Sequence, residues 1–289
     1  MNETNLVTYC QNCESELAGL FCSNCGQSAK SRRGPIWTVS GEFLQDTLAL
    51  DSKTFQSLTT LLFKPGTLTK AFLDGKRHSV LPPVRLYLAI SLLFFFVFQI
   101  PTPDVEESNV YIGNILLGHE EPIKGAPNFQ IMHFGEENAV NTWFEETYSE
   151  QIEILKTKDA QLSVEKIFNS LEEVMPTMLI FFLPLFALVM KLLYIFKRVL
   201  YFDHLIFSLH FQTWLMGAVL IIYGLAQYHG AWSALSALVP IYLAKAQKVT
   251  YQQTYWLVIP KTLMILVIYL TLMTIAGMMS FMSAIALLE

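Results

Sequence analysis

Residues 64–100, KPGTLTKAFLDGKRHSVLPPVRLYLAISLLFFFVFQI, pass from a proline-punctuated cationic collar into an apolar run. The collar sets Lys64, Lys70, Lys76, Arg77 and Arg85 against one acid, Asp74. No charge follows between Leu86 and Ile100. A helix needs about 20 apolar residues to cross the hydrocarbon core of a bilayer, and fewer where a flanking cation snorkels to the headgroups. Arg85 is such a cation, so the span is expected to start before it. A buried helix of a soluble protein is the competing reading. Further long apolar runs and a mean hydropathy of +0.41 weigh against it. So does a charged content of 15%, against about 25% in soluble domains.

Four more spans are expected: about Met175 to Tyr194, Leu205 to Ala226, Ala231 to Ala244 and Trp256 to Leu288. Pro184 should kink the second of these. The fourth is short and could be re-entrant. Ala276, Ser280 and Ala284 give the last a small-residue face for close packing. Charge orients the chain. Residues 101–174 hold 15 acids and four lysines, whereas cations outnumber acids elsewhere. Cations flanking spans mark the cytoplasmic face. The acidic segment is therefore expected outside and the N-terminus in the cytoplasm. No basic region followed by an apolar core opens the chain, so no cleavable signal is expected. The localisation that follows is the inner (plasma) membrane, multi-pass, with the bilayer as first partner.

Cys10, Cys13, Cys22 and Cys25 form C-x2-C-x8-C-x2-C and are the only cysteines in the chain. Each C-x2-C turn aims two sulfurs at one point, and two turns complete a tetrahedron around Zn²⁺. Two disulfides or free thiols are the alternative, disfavoured in a reducing compartment. Four thiolates leave no open coordination position, so the metal would be structural. Gly26 is expected at positive φ in the second turn. Lys30, Arg32 and Arg33 follow; they suit a topology-setting basic linker better than a nucleic-acid surface.

The first 30 residues thus read as a zinc ribbon, 31–79 as cytoplasmic amphipathic helices and collar, and 80–289 as a transmembrane domain of mainly α class. Phe55, Leu58, Leu61 and Leu62 share one helical face, with Asp51 or Ser52 as cap. That helix is expected to lie on the leaflet or against the spans. Residues 67–73 form a shorter helix ending at Gly75. Within the acidic segment, Val164, Ile167, Phe168 and Leu171 share a face, capped by Ser163.

The paired C-x2-C ribbon ending in Cys25-Gly26-Gln27, the Lys64-Pro65-Gly66 turn, the Gly75-Lys76-Arg77 triplet and the proline before the first span resemble an uncharacterised bacterial membrane family, domain of unknown function 3667. The stretch from Tyr201 to His210 is similar to its second signature. The resemblance spans nearly the whole chain except the acidic segment. It implies a zinc-ribbon membrane protein and no activity.

Asp203, His204, His210 and Gln212 cluster at the start of the third span. Asp203 and His210, seven apart, share a face. Ionisable groups at membrane depth are costly and often functional. One reading is a metal, proton or substrate site. The other is structural, with Asp203 paired to Arg85 or Lys76 and His210 bonded to a neighbouring helix. Tyr251, Gln252, Gln253 and Tyr255 read as interfacial anchors. No phosphate loop, nucleophile elbow or HExxH motif is present, which favours a non-enzymatic role. An adaptor or scaffold docking a cytoplasmic protein comes first. A small oligomeric transporter or channel using the polar cluster, as a homo-oligomer, comes second. A membrane-bound enzyme acting on lipid comes third.

Overall fold

The computed structural model describes residues 9–29, 52–97, 107–112, 115–117, 119, 121–132, 139–156, 160–224 and 231–286. Lys30, Arg32, Arg33 and the cap candidate Asp51 lie outside them. The chain is mainly helical and divides into two compact units. One comprises residues 1–98 and 182–269, the other 99–181 and 270–289.

Among the described residues, three helices are long and apolar enough to cross a membrane: Ala160–Leu193, Tyr201–Gly224 and Tyr255–Ala286. Three of the five crossings expected fall on these helices. Pro83–Val97 is apolar but has only 15 residues. Ala231–Tyr251 is a 21-residue helix, longer than the 231–244 segment expected. Lys245, Gln247 and Lys248 extend it but lower its apolarity.

In the first unit, α1 (Ser52–Phe63) and α2 (Thr67–Leu73) precede α3 (Pro83–Val97). Leu58, Leu61 and Leu62 of α1 pack on the buried core formed by Phe186, Phe207, Phe211, Trp214 and Leu243. Phe55 departs from the expected face and is exposed. So α1 lies against the bundle, where Tyr242 donates to the Leu61 carbonyl at 2.7 Å. Lys64-Pro65-Gly66 ends it, with Gly66 at φ 75°. Proline cannot donate and glycine tolerates that φ, so the two residues turn the chain sharply into α2.

The second unit contains a small sheet that periodicity did not reveal. Its strands are β1 (Asn109–Ile112), β2 (Ile115–Leu116) and β3 (Asn128–Met132), in the order β2-β1-β3. β1 runs antiparallel to β2 and parallel to β3, with an irregularity between Tyr111 and Ile112. The Asn109 amide clamps the connection, accepting from Ile123 N at 2.7 Å and donating to Ile123 O at 3.0 Å. Helices α4 (Ala139–Thr147) and α5 (Ser149–Lys156) follow. Val110, Ile112, Leu117, Phe144 and Leu155 form the core with Val164 and Ile167 of α6 (Ala160–Leu193). Phe168 and Leu171 complete the expected face. Ser163 is not the cap, because α6 starts at Ala160, and α6 continues through Pro184 as one helix. The remaining helices are α7 (Tyr201–Gly224), α8 (Ala231–Tyr251) and α9 (Tyr255–Ala286). Ala284 is buried beside Phe281 and Ile285, and Ser280 touches Met178.

Candidate metal centre and polar helix

The ribbon is one knuckle built twice, twelve residues apart. Glu14 N donates to Cys10 O and Gly26 N to Cys22 O, at 2.8 and 2.9 Å. Cys10 N donates to Ser15 O and Cys22 N to Gln27 O, both at 2.8 Å. Tyr9 bridges Glu16, and Phe21 bridges Ser28. Glu14 and Gly26 occupy the equivalent left-handed position, at φ 62° and 77°. The φ expected of Gly26 is observed; its counterpart at Glu14 was hidden because the residue is not glycine.

These turns bring the four sulfurs within 4.8 Å of one another. Cys10 and Cys25 lie 3.5 Å apart, as do Cys13 and Cys22. A Zn–S bond of about 2.3 Å gives a tetrahedral edge of about 3.8 Å, so the cage fits a single ion of that size. Among the described residues no other set of three His, Cys, Asp or Glu converges in this way. The Ser15 hydroxyl, 3.3 Å from Cys13 Sγ, and the Ser15 backbone pull the Cys13 thiol down to about 6. Burial pushes Cys25 up to about 11. One sulfur is thus poised to lose its proton well before another.

The ribbon is fastened to the turn that leads into α3. The Gln27 amide donates to Gly75 O at 2.8 Å and accepts from His78 N at 3.1 Å. Ser79 Oγ donates to Asn12 Oδ1 at 2.7 Å. Gly75 is at φ 90°, which favours glycine, and a Cβ there would displace the Gln11 side-chain amide, whose Oε1 would lie 2.1 Å away. The triplets Cys25-Gly26-Gln27 and Gly75-Lys76-Arg77 are therefore two halves of one contact.

Residues 51–95 match the model of the family described as Protein of unknown function (DUF3667). The match covers 51–95 of the 289 residues, so the likeness is confined to that segment. No curated protein and no solved structure matches the chain. The DUF3667 segment holds the Lys64-Pro65-Gly66 turn and the Gly75-Lys76-Arg77 triplet. The cysteines and the stretch from Tyr201 to His210 lie outside the match. Inside the DUF3667 segment, Gly66 has an unambiguous task. A Cβ there would sit 2.5 Å from Ala246 O and 2.9 Å from Ala246 Cα, so α8 rests directly on the turn.

The polar residues of α7 are divided among different neighbours. Asp203 accepts from the Leu200 N–H at 3.2 Å and so caps its own helix. His204 Nδ1 lies 2.8 Å from the Tyr251 hydroxyl at the end of α8. His210 Nδ1 lies 3.0 Å from Thr69 Oγ1 of α2. Gln212 Nε2 reaches the Tyr269 hydroxyl of α9 at 3.5 Å. The second ring nitrogens of His204 and His210 are buried without a hydrogen-bond partner among the described residues.

A connected network missed by periodicity lies beside His204. Tyr194 donates to Gln247 Oε1 at 2.9 Å, and Gln247 Nε2 donates to Thr262 Oγ1 at 2.8 Å. The rings of Tyr194 and Tyr251 lie 4.3 Å apart. Tyr251, expected as an interfacial anchor, is buried. Lys261 Nζ sits 3.8 Å over the Tyr194 ring. The available signal was the polar residue Gln247 inside an otherwise apolar face of α8.

Proposed function

We propose that this chain is a multi-pass protein of the inner membrane with a cytoplasmic N-terminus, whose four cysteines hold one structural Zn²⁺. Its role in this reading is that of a non-enzymatic adaptor docking a cytoplasmic protein. The observation that carries the reading is the Gln27 bridge to Gly75 and His78. It couples a segment too short for a core of its own to the entrance of an apolar helix, and metal binding would supply that segment's folding energy. Tyr9, Leu20 and Phe21 are 61%, 58% and 66% exposed on the ribbon. Tyr9 and Phe21 are the paired bridge residues of its two knuckles. An exposed aromatic pair on a rigid module suits a protein partner.

In the same reading α3 and α8 add two crossings to the three long helices. The 21 residues of α8 rise about 31 Å, with Lys245 and Lys248 close enough to one end to snorkel. A reporter that is active only outside the cell, fused after Glu289, should be active; cytoplasmic readout rejects five crossings. Metal analysis of purified protein should give one zinc per chain, lost in Cys10→Ser with Cys13→Ser. Tyr9→Ser with Phe21→Ser should keep the zinc and lose the co-purifying partner. An unchanged partner set in both variants overturns the adaptor role.

The buried, unpartnered ring nitrogens of His204 and His210 favour a second reading, an oligomeric transporter or channel. Loss of flux in His210→Gln at normal abundance would support it over the adaptor.

A further inference from the structure

Two apolar grooves flank α8 and share one cation. The groove of about 390 Å³ between α8 and α9 is lined by Ile241, Ala244, Ile259 and Leu263. The groove of about 350 Å³ on the other side is lined by Phe63, Ile221, Leu238 and Tyr242. Ile241 and Lys245 line both, and neither groove contains an acid. Lys245 has no hydrogen-bond or ion-pair partner among the described residues. One turn further on, Lys248 Nζ sits 3.9 Å over the ring of Tyr255, itself at the rim of the first groove. From Lys245 to Leu238 the helix rises about 10 Å. The cations thus stand at one end of the lined stretch of α8, and apolar walls extend away from them on both sides.

We propose that this site binds one anionic phospholipid, with its phosphate on Lys245 and one acyl chain in each groove. One exposed lysine at the mouth of two apolar grooves is a poor cradle for a soluble anion. The same lysine above two apolar channels fits a headgroup whose chains diverge from a common point. The missing acids favour an anionic over a zwitterionic headgroup, since nothing there attracts a choline. Lys248 adds positive potential while Tyr255 holds it at the rim. The proposal rests on the helices lying in a bilayer and is independent of the ribbon's partner.

The test uses the full chain, purified and stripped of lipid in detergent, and native mass spectrometry. Phosphatidylglycerol, phosphatidylcholine of matched chains and inorganic phosphate are added separately. One phosphatidylglycerol per chain should be retained, with about fivefold preference over phosphatidylcholine for each lysine engaged. Inorganic phosphate should neither bind nor compete. Lys245→Gln should lower the preference about fivefold, and Lys245→Arg should keep it. Ile241→Trp, which fills both grooves, should lose both lipids while melting at a temperature close to wild type. Equal retention of the two lipids by wild type, or phosphate displacing phosphatidylglycerol, overturns the proposal. So does a lipid-free dimer that Ile241→Trp dissociates, because the grooves would then hold a second copy.

Discussion

Replacing Gly66 by alanine tests how α8 is seated on the turn after α1. Two costs add. The backbone at Gly66 is left-handed, φ 75°, a conformation that costs a residue with a Cβ about 1 kcal/mol or more. The new methyl would also lie 2.5 Å from Ala246 O and 3.1 Å from Ala246 C. Both are backbone atoms, so no rotamer change relieves the contact. Helix α8 must shift by several tenths of an ångström, disturbing Ala246 and Leu243, 3% and 0% exposed. Overpacking of this kind costs about 1–3 kcal/mol. Together the loss is about 3 kcal/mol, a fall in melting temperature of roughly 6–12 °C at about 2–4 °C per kcal/mol. Tryptophan fluorescence during heating in detergent measures it. Gly217→Ala is the control. Its Cβ would meet only Leu62 Cδ2, at 3.7 Å, within a regular helix. Alanine improves helix propensity there by about 0.5–1 kcal/mol, so melting should hold or rise. If the two variants melt alike, the direct seating of α8 on the turn is wrong.

Gln27→Ala removes both bonds to the 75–79 turn, and hydrogen exchange at His78 should accelerate about tenfold while the zinc content is unchanged. In metal-free protein at pH 7, mass spectrometry should find Cys13 alkylated first and Cys25 last, and Ser15→Ala should slow Cys13. The folded pKa of Cys13 is depressed from about 9 to about 6, so its contribution to ribbon stability is fully present above the ordinary thiol range. That contribution is lost as pH falls through about 6, and chymotrypsin cleavage at Tyr9 should rise over the same window. Thr69→Val leaves His210 Nδ1 without the partner it has at 3.0 Å. An unpaired buried polar group costs about 1–3 kcal/mol, which should lower membrane accumulation; normal levels would show that the bond contributes little.

Features set by neighbours in the chain could be read directly. The C-x2-C spacing fixes each knuckle within a few residues, so the sulfur cage followed from the cysteines alone. The face of Val164, Ile167, Phe168 and Leu171 followed from helical periodicity, and the end of α1 from Lys64-Pro65-Gly66. Apolar run length identified the three long helices, but the full length of α8 was not legible, because hydropathy drops at Lys245 and Lys248 while the helix continues to Tyr251. Contacts across long separations were not legible. Gln27 meets Gly75 across 48 residues, and the Gly66 turn meets Ala246 across the bundle. No periodicity encodes such a meeting; it exists only once the intervening helices have packed. The same holds for the polar residues of α7. The sequence by itself placed Asp203 and His210 on one face. Only the tertiary structure decided their separate partners, because a helix face becomes an environment only when other elements close over it.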